Sequence, residues 1–432
     1  MKLKIALSLV AVALATQTLN LRAQTDVGRL VVHEWGTFTS LQGGDGNLIP
    51  WRGLQSSALP KFVYKWANSG LPIFPTSPIL YGGKGMIVSL QRMETPVVYF
   101  YSDREQTVDL AVKFPSGMIT EWFPEANQIG PSALKTNLIA DASAERGQTT
   151  ESLIRWSNLK LMPAQDQVAR AISLPIDTTG THYFAARETD ADVVRASAIS
   201  TNNTGAEFEK FLFYRGVGNF ATPLRVSMPD EGMVILTNTG KETLSHLFIL
   251  GVKSKAGNFV YVPQLLPGEE KTIALNTQID ALSPSALSDK ISRDVSQALA
   301  QTGLYPREAD AMVKTWRDSW FAEDGVRVLY VLPQTWTERT LPMSLNPAPN
   351  QLVRVMVGRA EVLTPHLVSS LAQQLQKAGH GDTAASDQAR ATLKGLGRFA
   401  EPAFTRALAA ANIQPQDQMK LTGLLNDVRT AE

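Results

Sequence analysis

Residues 29–39 read RLVVHEWGTFT, an apolar, β-branched and aromatic run interrupted by His33 and Glu34, and the run breaks at Gly43-Gly44-Asp45-Gly46-Asn47. Such a composition ending in glycine, aspartate and asparagine predicts a strand followed by a tight turn. Side chains alternate across a strand, so His33 shares a face with Val31 and Trp35, whereas Glu34 shares the opposite face with Val32 and Phe38. One ionisable group therefore points inward unless the strand lies at a sheet edge, and a buried charge requires a partner.

Working outward, strands are predicted at 86–91, 97–102, 108–114 and 118–123, making residues 24–160 a β-rich N-terminal unit. Between 165 and 280 the runs HYFAARET, EKFLFYRGV, LRVSM, MVILTN, HLFILGVKS, FVYVPQ and KTIALN alternate with turn signals, a spacing that suits a sandwich or barrel. The pattern from Val234 to Leu275, with Asn238-Thr239-Gly240 and then Leu266-Pro267-Gly268-Glu269, resembles immunoglobulin-like accessory domains of exported proteins; it implies a fold only.

Ser283 followed by Pro284 opens a helix whose apolar positions Leu287, Ile291, Val295 and Leu299 recur every fourth residue up to Gly303, and a second helix begins at Pro306. Strands return at 326–332 and 352–357, so the helical hairpin 283–321 is inserted into a sandwich-like unit spanning 161–360. Past Pro365 only helical periodicity remains, and residues 361–432 form a small all-α module. Its segment GLGRFAEPAFTRAL resembles one unit of HEAT-type repeats. The expected class is α+β, a mostly β body with an inserted hairpin and a helical C-terminus.

Residues 1–23 read as a secretory signal peptide, with Lys2 and Lys4 preceding a short apolar run. Removing them takes away Lys2, Lys4 and Arg22, and the formal charge of +1 becomes −2. A near-neutral body without basic tracts argues against nucleic acid. No later stretch suits a membrane helix. The chain has no cysteine, which excludes disulfides, thiol catalysis and cysteine-based metal sites. The expected location is the periplasm or the medium.

No Gly-x-Ser-x-Gly elbow, Walker loop, His-Glu-x-x-His or dinucleotide fingerprint is present. The candidate chemistry lies in polar residues set in apolar strands. Glu34 and Glu94, with His33, are candidate catalytic residues, because paired carboxylates divide acid and base roles in glycoside hydrolysis; a buried ion pair or a sheet-rim position explains the same pattern. Arg187 and Arg215 suit a bidentate clamp for carboxylate or phosphate, or equally ordinary ion pairs, with Tyr214 and Trp35 as binding neighbours. Five of the eight tryptophans precede residue 160, which suits a sugar cleft and core packing alike. His33, His182, His246, His366 and His380 stand singly, so the sequence designates neither a metal nor a cofactor, although folding can unite His33 with His182. Asp45-Gly46-Asn47 lacks the acidic positions of a calcium loop and reads as a hairpin turn.

Taken together, VVHEWGTFTSLQGGDG, RMETPVVYFYS, EWFPEA, FYRGVGNF and VKTWRDSWFAEDGVRVLYVLP resemble a set of exported bacterial proteins that share the His-Glu-Trp-Gly-Thr segment. No activity attaches to that set, so the resemblance implies no catalytic residue. The residues themselves favour an exported hydrolase of a polysaccharide or cell-envelope polymer. The alternative is a non-catalytic binding or assembly protein whose β body holds a ligand, such as a glycan, and whose C-terminal helices dock a protein partner.

Overall fold

The computed structural model describes residues 28–53, 59–65, 88–130, 152–179, 181–197, 205–254, 256–275, 283–411, 413 and 415–430. The expected signal peptide, Trp66 and the first two residues of the expected 86–91 strand lie outside them; of its remainder only Gln91 belongs to a strand, with Ser89 in an isolated bridge to Trp51. In chain order the strands are β1 (Leu30–Gly43), β2 (Tyr64–Lys65), β3 (Gln91–Ser102), β4 (Gln106–Lys113), β5 (Gly117–Phe123), β6 (Gln128–Gly130), β7 (Leu153–Met162), β8 (Val193–Ser197) and β9 (Ala206–Glu209). They continue as β10 (Leu212–Gly218), β11 (Leu224–Ser227), β12 (Met233–Asn238), β13 (Leu244–Lys253), β14 (Ala256–Leu265), β15 (Glu270–Ala274), β16 (Gly325–Leu332), β17 (Met343–Asn346) and β18 (Gln351–Leu363). The helices are α1 (Gln167–Ala171), α2 (Thr181–Ala185), α3 (Pro284–Gln301), α4 (Pro306–Phe321), α5 (Gln334–Thr340), α6 (Pro365–Gly379), α7 (Thr383–Leu396), α8 (Ala400–Ala410) and α9 (Pro415–Thr430).

A nine-stranded sheet, ordered β14-β13-β16-β18-β1-β3-β10-β5-β2, organises the molecule. β1 lies near its middle, parallel to β18 and antiparallel to β3. Every residue of β1 is buried, which accounts for its near-continuous apolar reading. One face packs Val32, Phe38, Val98, Leu212 and Tyr214 against the inner residues of the two smaller sheets, among them Leu110, Trp156 and Leu161 of one and Val226 and Leu236 of the other. The opposite face packs Trp35, Val97, Tyr99, Phe211 and Phe213 under α2 and the α3–α4 hairpin. The class is thus α+β, with a mostly β body and a helical C-terminal region.

The boundary expected near residue 160 does not divide the sheets: β1, β3 and β5 precede it, while β10, β13, β14, β16 and β18 follow it in the same sheet. Local patterns specify strands; partners distant in sequence are chosen by burial across the whole chain. A second correction concerns HYFAARET, which forms the short helix α2 and a turn rather than a strand. Tyr183 and Ala186, three apart, both enter the apolar cluster beneath α4.

The helix signals hold. The Ser283 hydroxyl accepts from Ala286 N at the start of α3, with Pro284 at the first helical position. Leu287, Ile291, Val295 and Leu299 are buried together. Helices α6–α9 gather around Leu371, Leu375, Ala389, Leu393 and Phe404 and cap the end of β1 and β18 through Leu41, Ile49, Trp51 and Leu363. Ion pairs Arg52–Glu401 (2.8 Å) and Arg406–Asp45 (3.4 Å) join this cap to the turn after β1. That turn is tight, with Gly46 at φ 76° and the Asp45 carboxylate accepting from Asn47 N at 3.0 Å. Among the described residues no helix is long and apolar enough to cross a membrane.

Candidate functional site

The pleat of β1 separates the two carboxylates singled out in the sequence. Glu34 pairs across β3 with Val98, on the face packed against the small sheets. Its Oε2 accepts from Arg354 Nε at 2.7 Å and its Oε1 accepts from the Tyr214 hydroxyl. Arg354 also donates to Leu341 O at 2.7 Å, and Glu34, Tyr214 and Arg354 are all buried. Burial, reinforced by the Glu34 charge, pushes the Tyr214 hydroxyl well above its ordinary range, so it remains a hydrogen-bond donor.

Glu94 lies opposite Thr37 on the other face, with Thr39 opposite Arg92. An acid and a base acting on one glycosidic bond must share one cleft. The sheet itself stands between Glu34 and Glu94, so the expected acid–base pairing of these two residues is not present in this fold.

His33, two residues before Trp35 on that same face, donates or accepts through Nδ1 at 2.7 Å from Glu308 Oε2. The remaining Glu308 oxygen takes the Tyr101 hydroxyl at 2.7 Å, and Tyr305 N donates to Oε2 at 2.7 Å. Glu308 sits at the third position of α4 in a capping box, so His33 ties that helix start to the sheet. Trp35 packs at 6.2 Å from Tyr99 within the apolar cluster. Arg187 is a fork on Glu209, at 2.9 Å and 2.6 Å, and Tyr183 donates to the same carboxylate at 3.1 Å. His33, Tyr214 and Arg187 thus act as fasteners between elements.

Glu94 and Arg215 belong to a different arrangement. Three register shifts fall side by side: between Trp35 and Thr37 in the β1–β3 pair, between Phe213 and Gly216 in β10–β3, and between Arg215 and Gly216 in β10–β5. Thr95 in this stretch has φ 48°, a left-handed conformation rare for a β-branched residue. Bulges re-aim side chains, and strained backbone gathers at functional positions. Here they turn Glu94 and Arg215 into a buried belt that crosses the sheet. Arg215 Nε meets Glu121 Oε2 at 2.7 Å; Arg398 Nη1, from the turn between α7 and α8, meets Glu94 Oε1 at 3.2 Å. Arg359 reaches Glu361 at 2.5 Å and Glu323 at 2.7 Å, and Arg327 reaches Glu361 at 2.7 Å.

With Arg92 at its centre, the belt sets five guanidiniums against four carboxylates among the described residues. Burial raises the Glu94 carboxyl, but Arg398, Arg92 and Arg359 outweigh it and bring the pKa down to about 2. Burial, aided by Arg215 and Arg398 against the opposing pull of Glu94, lowers Arg92 to about 10. His182, over which the Trp316 ring lies at 6.2 Å, is likewise pushed down by burial and by Arg215. A carboxylate held ionised this firmly neither delivers a proton nor takes one readily. The Thr37 hydroxyl and the Trp316 and Trp320 indole N–H groups, buried on this face, have no hydrogen-bond partner among the described residues.

The bulge glycine supports this geometry. A Cβ on Gly216 would sit 2.0 Å from the Met118 carbonyl oxygen, a backbone atom with no easy retreat. Gly216→Ala is expected to lower stability by about 2 kcal/mol, read as an earlier urea midpoint with an unchanged slope.

No protein-family model matches the chain, and no curated protein sequence does. Among solved structures it is similar to the mu homology domain of Fcho1 from Danio rerio with bound Eps15 peptide, at 7% identity over 77% of this chain and 97% of that one, with a TM-score of 0.28. It is also similar to the yeast delta-COP-I mu-homology domain complexed with a Dsl1 WxWxV peptide, at 8% identity over 77% and 96% of the two chains and a TM-score of 0.26. Likeness at these TM-scores assigns nothing to this chain.

The rule that singled out Glu34, a charge inside an apolar strand, applies equally to Arg327 in GVRVLYVL and to Arg354, Arg359 and Glu361 in QLVRVMVGRAEVL. Sequence reading missed these four, although the signal was there. Arg398, in a helical connection, carried none. Among the described residues no group of three or more histidine, aspartate or glutamate side chains is arranged to hold a metal ion.

Proposed function

We propose that the protein is an exported, non-catalytic binding protein of the periplasm or cell surface, whose β body holds a small ligand beside the buried arginine–glutamate belt. The observation that carries this reading is the division of Glu34 and Glu94 between opposite faces, each neutralised by guanidinium partners. Catalytic carboxylates need perturbed, working proton affinities and access to one substrate. A gathering of buried guanidiniums with buried indole and hydroxyl donors beside it suits recognition of an anionic group instead.

Native mass spectrometry of the protein purified from its exported fraction is expected to show one retained small molecule per chain. No polysaccharide or peptidoglycan fragment is expected to be released from polymer by the same preparation. Polymer cleavage that disappears in Glu94→Gln would restore the hydrolase reading and overturn this one.

A further inference from the structure

A cleft of about 830 Å³ lies where three parts of the chain meet. The three-stranded sheet lines it with Met228, just after β11, and Leu275, just after β15. The main sheet supplies Val252 near the end of β13 and Val326 at the start of β16, and the cap supplies Leu367 from the first turn of α6 and Leu396 from the end of α7. Met228 and Leu275 belong to the apolar core of the body, whereas Leu367 and Leu396 pack on that of the cap. The cleft is thus an apolar seam between separately packed units, with a volume inside the roughly 300–1,000 Å³ of small-molecule sites.

Small residues on α7 widen it. Gly395, on the wall of the cleft, has no positive φ, and a Cβ added to it would meet nothing within 4 Å. Neither backbone conformation nor crowding calls for glycine there, and glycine weakens a helix relative to alanine. Ala391, one helical turn earlier, borders the same space.

The lining selects the occupant. Among the described residues the walls hold no phenylalanine, tyrosine or tryptophan, so no such ring is offered to a sugar or a nucleobase for stacking. The charges at the rim have both signs, Lys253 against Glu231 and Asp324, and all three side chains are exposed. They favour neither an anion nor a cation. What the cleft offers from three sides is aliphatic surface.

We propose that the cleft binds the alkyl chain of a free, single-chain aliphatic molecule, whose polar end stays at the rim. The site is separate from the ligand placed beside the belt and does not depend on it. Burial of methylene groups supplies the affinity. Met228, Val252 and Leu275 are buried and Val326, Leu367 and Leu396 half-buried, so the apolar surface is recessed. Docking on a bilayer calls instead for apolar side chains that project.

The test is isothermal titration of the purified protein with 1-hexanol, 1-octanol and 1-decanol, with D-glucose as comparison. One alkanol is expected to bind per chain, its affinity rising about fourfold for each added methylene, and glucose is expected not to bind. Gly395→Phe, which sets a ring into the cleft, is expected to weaken octanol binding at least tenfold. Leu396→Ser, which makes one wall polar, is expected to weaken it severalfold and remains informative if the phenylalanine variant does not fold; the thermal midpoint of each shows whether it does. Absence of alkanol binding, an affinity independent of chain length, or octanol held equally by the folded variants overturns the proposal. Sedimentation with phosphatidylcholine vesicles by a protein that takes up no free alkanol would overturn it in favour of a bilayer.

Discussion

Replacing Arg354 with methionine is expected to destabilise the protein by about 3–5 kcal/mol, because it leaves the Glu34 carboxylate buried with its cation removed. Glu34 is fully buried, and Arg354 is its only charged contact, 2.7 Å away, among the described residues. The hydrogen bond from Tyr214 remains but does not neutralise it. The double variant Arg354→Met, Glu34→Leu removes both charges at once. It is expected to recover much of the loss, since apolar replacement of a whole buried pair is often neutral or stabilising. Equilibrium urea unfolding of the three proteins gives the coupling directly. If Arg354→Met alone costs less than about 1 kcal/mol, Glu34 is protonated or hydrated in the folded state, and its assignment as a structural ion pair falls.

This pair also shows what could be read in advance. Alternation placed Glu34 with Val32 and Phe38, and the structure packs all three on the face toward the small sheets. The same alternation put His33 with Trp35, as found. The caps at Ser283 and Pro284, the α3–α4 hairpin and the helical run after Pro365 were legible because their signals are local: a hydroxyl, a proline, a four-residue period. The strand β7 was missed, although Arg155 and Lys160 stand exposed between buried neighbours in it.

Non-local facts escaped. Nothing in residues 30–43 says that they pair in parallel with 351–363, a partner more than three hundred residues away. Nor does RMETP announce that Thr95 takes a positive φ and shifts the register, which decides the face on which Glu94 emerges. The gathering of Arg92, Arg359 and Arg398 around Glu94 depends on that bulge and on the docking of a helical cap whose own sequence reads as ordinary amphipathic helix. A charge in an apolar strand could therefore be flagged as important, while the choice between fastener and ligand contact waited on its partners.

Acid should expose the belt before it exposes the rest of the core. The Glu94 pKa of about 2 in the folded state lies below the roughly 4.3 of a free glutamate in the unfolded chain. The unfolded state therefore binds the proton first as pH falls, and the stabilisation from Glu94, full above about pH 5, is lost progressively down to pH 2. The difference corresponds to on the order of 3 kcal/mol. In Glu94→Gln that contribution is absent at every pH, and Arg398, Arg92 and Arg359 are left without this anion. The variant is expected to be less stable at pH 7 by a similar amount and to lose less on going from pH 5 to pH 3 than the wild type. Thermal unfolding followed by circular dichroism across that range provides the comparison. Parallel pH profiles for the two proteins would show that Glu94 is not held ionised by its arginines, and its place in the charge belt would fall.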